Sequence, residues 1–210
     1  MNPDPCDFHP TTPQEFIGES RRIALMLEAK AKALLERKNP APVKILLYGA
    51  PGTGKTRLVE MFANLLAWHP TAIENTNGRN LTIDVVRRWQ ESSCYIPLGG
   101  RFVIKTVQEL DTATPQAQDL LLSFLDDAKP YTVFLGTSNL MLMQLTERFE
   151  TRMQQFKVTP PTTEEIAALL VKRWGFKKQR AMEIAVGSGN NVRAALLDAQ
   201  SVLDVSRIAA

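Results

Sequence analysis

Eight consecutive residues could do chemistry as a unit: Gly49-Ala50-Pro51-Gly52-Thr53-Gly54-Lys55-Thr56. They fit the phosphate-loop pattern Gly-x-x-x-x-Gly-Lys-Ser/Thr. Glycines let a backbone wrap closely around a polyphosphate and turn its N–H groups inward. A lysine at this spacing reaches the β- and γ-phosphates, and the Thr56 hydroxyl can ligate Mg2+. Gly49, Pro51, Gly52, Thr53, Gly54, Lys55 and Thr56, with the adjoining Arg57, are the candidate nucleotide-binding residues.

A second set, Gln108-Glu109-Leu110-Asp111, follows the apolar run Phe102-Val103-Ile104-Lys105-Thr106-Val107. A phosphate loop that cleaves its nucleotide needs a carboxylate near the metal and a residue that orients the attacking water. Gln108 stands at the metal-facing place and Glu109 at the water-activating one. Gln108 can accept a hydrogen bond from a metal-bound water, but it brings no negative charge. Two readings stand side by side: hydrolysis is weakened or conditional, or Thr56 and the nucleotide's own phosphates hold Mg2+ well enough. Lys105 is unusual inside such a run, because a central strand rarely buries an amine without a partner.

These residues need elements to position them. Val43 to Tyr48 reads as a buried strand entering the loop, and Arg57 to Trp68 as the helix leaving it, stopped at Pro70. Such a helix adds the positive end of its dipole to the phosphate site. Upstream, Ser20 is the expected cap of a helix to about Lys38, with Ile23, Leu27, Ala31, Leu34 and Leu35 as its apolar stripe. Downstream, strands are expected near 71–76, 102–107, 131–136 and 155–158. Helices are expected at 83–91, from Pro115, and briefly around Leu145 to Thr151. Pro160-Pro161 marks a boundary. Beyond it Thr162 and Glu165 form a capping box, and helices run to about Gly175, from 178 to 186 and from 191 to 205. Alternating strands and helices predict an α/β fold: a P-loop parallel sheet flanked by helices over residues 1–159, then a small all-helical lid over 160–210. The nucleotide belongs at the carboxyl ends of the strands.

The 210 residues carry a formal net charge of +3, which permits nucleic-acid binding without arguing for it. No apolar run reaches the ~18 residues of a membrane helix, and the N-terminus has no apolar signal segment. The 2 cysteines, Cys6 and Cys94, form no metal or disulfide pattern, so the default setting is reducing and cytoplasmic.

In the order of these motifs, from about Pro10 to Leu203, the chain resembles the AAA+ ATPases, and within them the small subunits of DNA-polymerase clamp loaders. Pro10-Thr11-Thr12 through Glu15-Phe16-Ile17-Gly18 looks like the family's N-terminal box. Asn77 through Thr82 to Arg87 looks like the segment after the second strand, and Thr114-Pro115-Gln116 through Leu121 like the helix after Walker B. The resemblance implies ATP and Mg2+ as ligands and an oligomer that loads or remodels a DNA-associated partner. It gives Asn139 the sensor 1 role and Arg193 the sensor 2 role. It makes Arg152 the finger that enters a neighbouring subunit's site, with Arg148 a second candidate. Arg79, Arg87 and Arg88 are the residues that could meet DNA phosphates, or form a solvated basic face.

Three departures matter: Gln108 replaces the Walker B Asp, the zinc module of bacterial clamp loaders is absent, and no collar domain precedes Ala210. Assembly is therefore expected through the ATPase modules alone, or with a partner, or only as a weak association. Two alternatives are kept: an ATP-binding scaffold or switch with little turnover, favoured by Gln108, and a branch-migration-type DNA motor, whose N-terminal box and P-loop are also similar.

Overall fold

The computed structural model describes residues 4–95, 100–139, 147–149 and 151–208. Five strands form one sheet: β1 (Val43–Tyr48), β2 (Ile73–Asn77), β3 (Val103–Gln108), β4 (Thr132–Ser138) and β5 (Gln154–Lys157). Their order is β2-β3-β4-β1-β5, and every neighbouring pair is parallel. Helices cover both faces: α1 (Gly18–Glu36), α2 (Lys55–Leu66), α3 (Ile83–Ser92) and α4 (Pro115–Asp126).

Side chains alternate across a strand, so each central strand feeds two cores. Ile45 and Leu47 of β1 pack with Ile23 and Leu27 of α1 and with Leu58 and Phe62 of α2. Leu46 packs on the opposite face with Val86 and Trp89 of α3 and with Leu121, Phe124 and Leu125 of α4. Burying a side chain such as Phe62 or Leu125 contributes about 1.5–3 kcal/mol each, which fixes the sheet against its helices.

Register sets the site. Tyr48 lies opposite Ser138, Val107 opposite Gly136, and Asn77 opposite Gln108. The residues that leave these strands, Gly49, Asn139, Glu109 and Gly78, therefore emerge along one carboxyl-terminal rim.

Beyond Pro160-Pro161 come α5 (Thr163–Trp174), α6 (Lys178–Gly187) and α7 (Val192–Ile208). They share a core of Ile166, Leu170, Ala181, Ile184, Ala195 and Ala199. The capping box is formed: Glu165 N–H donates to Thr162 Oγ1 at 3.2 Å and Thr162 N–H to Glu165 Oε2 at 2.8 Å. Among the described residues, no helix is long and apolar enough to cross a membrane.

Three expectations change. Ser20 does not cap α1, which starts two residues earlier at Gly18 after Ile17; the Ser20 hydroxyl has other work. The brief helix near Leu145 to Thr151 is a single 3-10 turn, Glu147–Phe149, and residues 145, 146 and 150 of that expectation lie outside the described ones. Lys105 has the partner its burial demands: it is 1% exposed, ion-paired with Glu74 of β2, and donates to Ser92 Oγ at 3.0 Å. The register places Glu74 directly opposite it.

Candidate nucleotide site

The phosphate loop joins β1 to α2 as the spacing predicts. Gly52 has φ +78° and Gly49 φ +145°. A Cβ on Gly49 would stand 2.2 Å from the Val158 carbonyl oxygen, and one on Gly52 2.0 Å from Asn191 Oδ1. At Gly49 the Val158 backbone leaves no room for a side chain, and at Gly52 the left-handed φ favours glycine while the Asn191 side chain crowds the same spot. Lys55 is 6% exposed and donates to the carbonyls of Gly49 at 2.9 Å and Ala50 at 2.7 Å. Burial lowers its ammonium to about 8, against the opposing pull of Asp111 and Glu109. Thr53 Oγ1 donates to the Ala50 carbonyl at 3.0 Å. Buried Ser20 of α1 donates to the Thr53 carbonyl at 2.7 Å, bracing the loop from below.

Glu109 occupies the left-handed region at φ +52°, a costly conformation for a residue with a side chain. Three hydrogen bonds hold it there. Its N–H donates to Thr137 Oγ1 at 3.0 Å, and its carbonyl accepts from Thr112 N at 2.9 Å and Thr112 Oγ1 at 2.8 Å. The turn lets the Glu109 carboxylate accept from Asn139 Nδ2 at 3.3 Å. The Asn139 N–H donates to Asp111 Oδ1 at 3.1 Å.

A cavity of about 590 Å³ opens above this rim. Pro51 to Arg57 line it, together with Gln108, Glu109, Thr137 and Asn139 from the sheet and Arg193 from α7. Its other end is apolar, walled by Phe8, Pro10, Phe16 and Ile17 from the N-terminal arm and by Leu169, Val192, Leu196 and Leu197 from the lid. The phosphate-loop residues in this lining suit a polyphosphate, and its apolar side chains offer surface for a less polar part of a ligand. Of the predicted phosphate and catalytic residues, Lys55, Thr56, Arg57, Gln108, Glu109, Asn139 and Arg193 come together here; Gly49 closes the loop at the end of β1.

Arg152 does not line this cavity. Its guanidinium grips Asp126 through Nε at 2.7 Å and NH2 at 2.9 Å, and donates to the Arg148 carbonyl at 3.0 Å. That pairing holds the Asp126 carboxyl below its ordinary range. Arg148 lies 3.5 Å from Asp119. Arg79, Arg87 and Arg88 are exposed on and before α3, away from the cavity lining, with Arg87 3.9 Å from Asp84.

The arm does more than wall the cavity. Glu15 accepts from Thr11 N at 2.8 Å and Thr12 N at 3.2 Å within the arm, and from Arg173 of α5 at 2.6 Å. Burial pushes its carboxyl up, yet these bonds outweigh it and hold the group at about 2. Phe8 packs edge-on to Trp174 at 5.5 Å and beneath Arg173 at 4.8 Å. Asp4 pairs with Arg207 of α7 at 2.8 Å.

Several of these residues carry no role in the sequence reading. Asp111 follows Glu109 closely, and an Asn-Asn pair opens α7; both were local signals. The bond from Ser20 to the Thr53 carbonyl and that from Arg173 to Glu15 give no such signal, because the partners lie 33 and 158 residues apart.

The residues present fit a nucleotide with a divalent cation. The Gly49 and Gly52 cradle would be filled by any Cβ, Lys55 waits at the loop, and Thr56 and Gln108 offer oxygens. Among the described residues, no group of three or more His, Cys, Asp or Glu could hold a metal. A cation here would draw on the substrate's phosphates, as Mg2+ commonly does.

Known proteins share this fold. The fold matches a single-site mutant of Thermotoga maritima RuvB with a TM-score of 0.77 and 19% identity, covering 96% of this chain and 68% of that one. The Thermotoga maritima RuvB Holliday junction branch migration motor gives 0.71 and 22%, covering 96% and 67%. A DNA polymerase III gamma subunit-related protein from Thermotoga maritima gives 0.53 and 16%, covering 75% and 57%. At these identities the likeness is one of fold. No curated protein matches the chain in sequence. The model of the ATPase family associated with various cellular activities (AAA) matches residues 45–160, more than half of the 210, and runs from within β1 through the phosphate loop, Glu109, Asn139 and Arg152. The chain belongs to that AAA family of ATPases.

Proposed function

We propose that this AAA module hydrolyses Mg-ATP at an interface between subunits and uses the cycle to load or remodel a DNA-associated partner in a clamp-loader-like way. One observation carries the reading: Lys55, Glu109, Asn139 and Arg193 converge on one cavity, while Arg152 stands outside it. Residues 1–159 are the body and 160–210 the lid that closes over the nucleotide.

In this reading the loop N–H groups and Lys55 hold the β- and γ-phosphates. When bound, Mg2+ neutralises charge on the phosphate oxygens, and Thr56 and Gln108 are the residues that would hold it. Glu109 draws the proton side of the attacking water, and Asn139 orients that water against the γ-phosphate. Arg193 meets the phosphates from the lid. Arg152 of one subunit meets the charge that develops in its neighbour's site, where such an arginine contributes about 10³-fold or more in rate. Arg79, Arg87 and Arg88 contact DNA phosphates without reading sequence.

A branch-migration-type motor is the second reading. Its support is the RuvB likeness, which reaches 96% of this chain, against 75% for the gamma subunit-related fold. Stimulation of hydrolysis by branched over linear duplex DNA would favour it.

The experiment is steady-state Mg-ATP hydrolysis by the wild type, Gln108→Asp and Arg152→Ala at high protein concentration. Turnover by the wild type and its loss in Arg152→Ala support an intersubunit ATPase. A silent wild type with an active Gln108→Asp makes ATP a switching ligand on a scaffold instead.

A further inference from the structure

Position 108 lacks the charge that its place calls for, and a second carboxylate lies three residues on. Asp111 is half-buried, and among the described residues no cation lies within ion-pairing distance of it. Its Oδ1 accepts the Asn139 backbone N–H at 3.1 Å, while Glu109 Oε1 accepts the Asn139 side-chain amide at 3.3 Å. Two carboxylates thus hold one residue, one at its backbone N–H and one at its side-chain amide. Of the charges that counter the burial of Lys55, Asp111 is the strongest, ahead of Glu109. The 3-10 turn Leu110–Thr112 that presents Asp111 is fixed by the buried Leu110 and by the Glu109–Thr112 bonds.

We propose that Asp111 is a positioning residue for ATP hydrolysis, which fixes Asn139 and sets against Lys55 the negative charge that Gln108 does not bring. The proposal rests on the ATPase reading. Asp111 does not line the cavity, so it acts through Asn139 and through the field across the floor, not by touching substrate. Charge in a site shielded from water acts at several ångströms with little loss, so a carboxylate set back from the cavity still offsets the positive side of the loop. The arrangement also explains how position 108 can be neutral while Glu109 keeps its strained backbone and its hold on Asn139.

The test compares Asp111→Asn with Asp111→Ala, each alone and with Gln108→Asp. Asparagine keeps an acceptor for the Asn139 N–H and removes the charge; alanine removes both. Melting temperatures confirm that each variant is folded. Asp111→Asn is expected to lower kcat about tenfold, and Asp111→Ala further, with Gln108→Asp restoring most of the Asp111→Asn loss but not the alanine loss. The second readout is the Mg2+ concentration that half-saturates binding of a fluorescent ATP analogue. It should rise about threefold or more in Asp111→Asn and return with Gln108→Asp. Wild-type-like kcat and Mg2+ dependence in Asp111→Asn, or a loss that Gln108→Asp leaves untouched, overturns the proposal. If no variant turns ATP over, the ATPase reading fails, and the Mg2+ titration still decides the role of Asp111.

Discussion

Lys55 couples the site to pH. Burial holds its ammonium at about 8, below the ordinary lysine range, so near pH 8 about half of these amines are neutral before nucleotide arrives. A polyphosphate beside the amine favours the charged form, so binding must take up protons. Calorimetry in buffers of different ionisation enthalpy should give an uptake of about half a proton per site at pH 8 and close to none at pH 6.5. Equal heats in all buffers at pH 8 would show that Lys55 is already fully charged. The lysine's place in the loop was legible from spacing alone. Its retreat onto the Gly49 and Ala50 carbonyls was not, since that depends on how tightly the loop curls. Asp111 stood in plain sight in Gln108-Glu109-Leu110-Asp111, but nothing in the order of residues tells that its carboxylate turns back to Asn139.

At the scale of elements, two carboxylates make contrasting predictions. Glu15 joins the arm to α5 through Arg173, and its folded-state value of about 2 lies below the ordinary 4.5. A depressed carboxylate contributes its full stability above pH 4.5 and loses it as pH falls towards 2. The shift corresponds to about 1–2 kcal/mol once solvent screening is allowed for. The melting-temperature gap between wild type and Glu15→Gln should therefore be widest above pH 4.5 and close below pH 3, while a gap that ignores pH would remove the ion pair from the account. Glu74 is the other case. Lys105 is buried at 1% exposure while Glu74 keeps 44% of its side chain in solvent. Glu74→Ala strands a buried amine and should cost about 1–3 kcal/mol in urea unfolding, whereas Lys105→Met removes the charge with its need for a partner and should cost less. The reverse order would mean that the pair itself stabilises the β2 edge. Strand positions were legible because apolar runs between turn residues leave few choices, as at Val43 to Tyr48. The order β2-β3-β4-β1-β5 was not, because pairing is decided by packing between segments far apart in the chain. Ser20 shows the limit: its type suits a helix cap, and the fold uses its hydroxyl on Thr53 instead.

At the scale of the whole molecule, sheet rim, arm and the helices beyond Pro160-Pro161 all line the nucleotide cavity, and they reach it from distant places in the chain. Asn191, which opens α7, sits so close to Gly52 that lid and phosphate loop touch directly. Asp4 with Arg207 and Phe8 with Trp174 tie the arm to the same lid. A nucleotide in the cavity would meet all three. The Pro160-Pro161 break and the helical pattern beyond it were enough to expect the all-helical region that α5, α6 and α7 form. The arm's grip on that lid was not visible, since ion pairs across some 200 residues leave no local pattern. Arg152 stands outside the cavity lining and faces α4 through Asp126. In the proposed ATPase, Arg152 completes the site of a neighbour. The most direct test mixes two variants, Lys55→Ala, which cannot hold phosphate, and Arg152→Ala, which cannot complete a neighbour's site. Each alone should be silent. Mixed, an interface that pairs Lys55 from one subunit with Arg152 from the other is whole again, and Mg-ATP hydrolysis should return to a fraction of the wild-type rate that depends on the mixing ratio. A mixture as silent as its parts, or full activity in Arg152→Ala alone, would contradict an ATPase site shared between subunits.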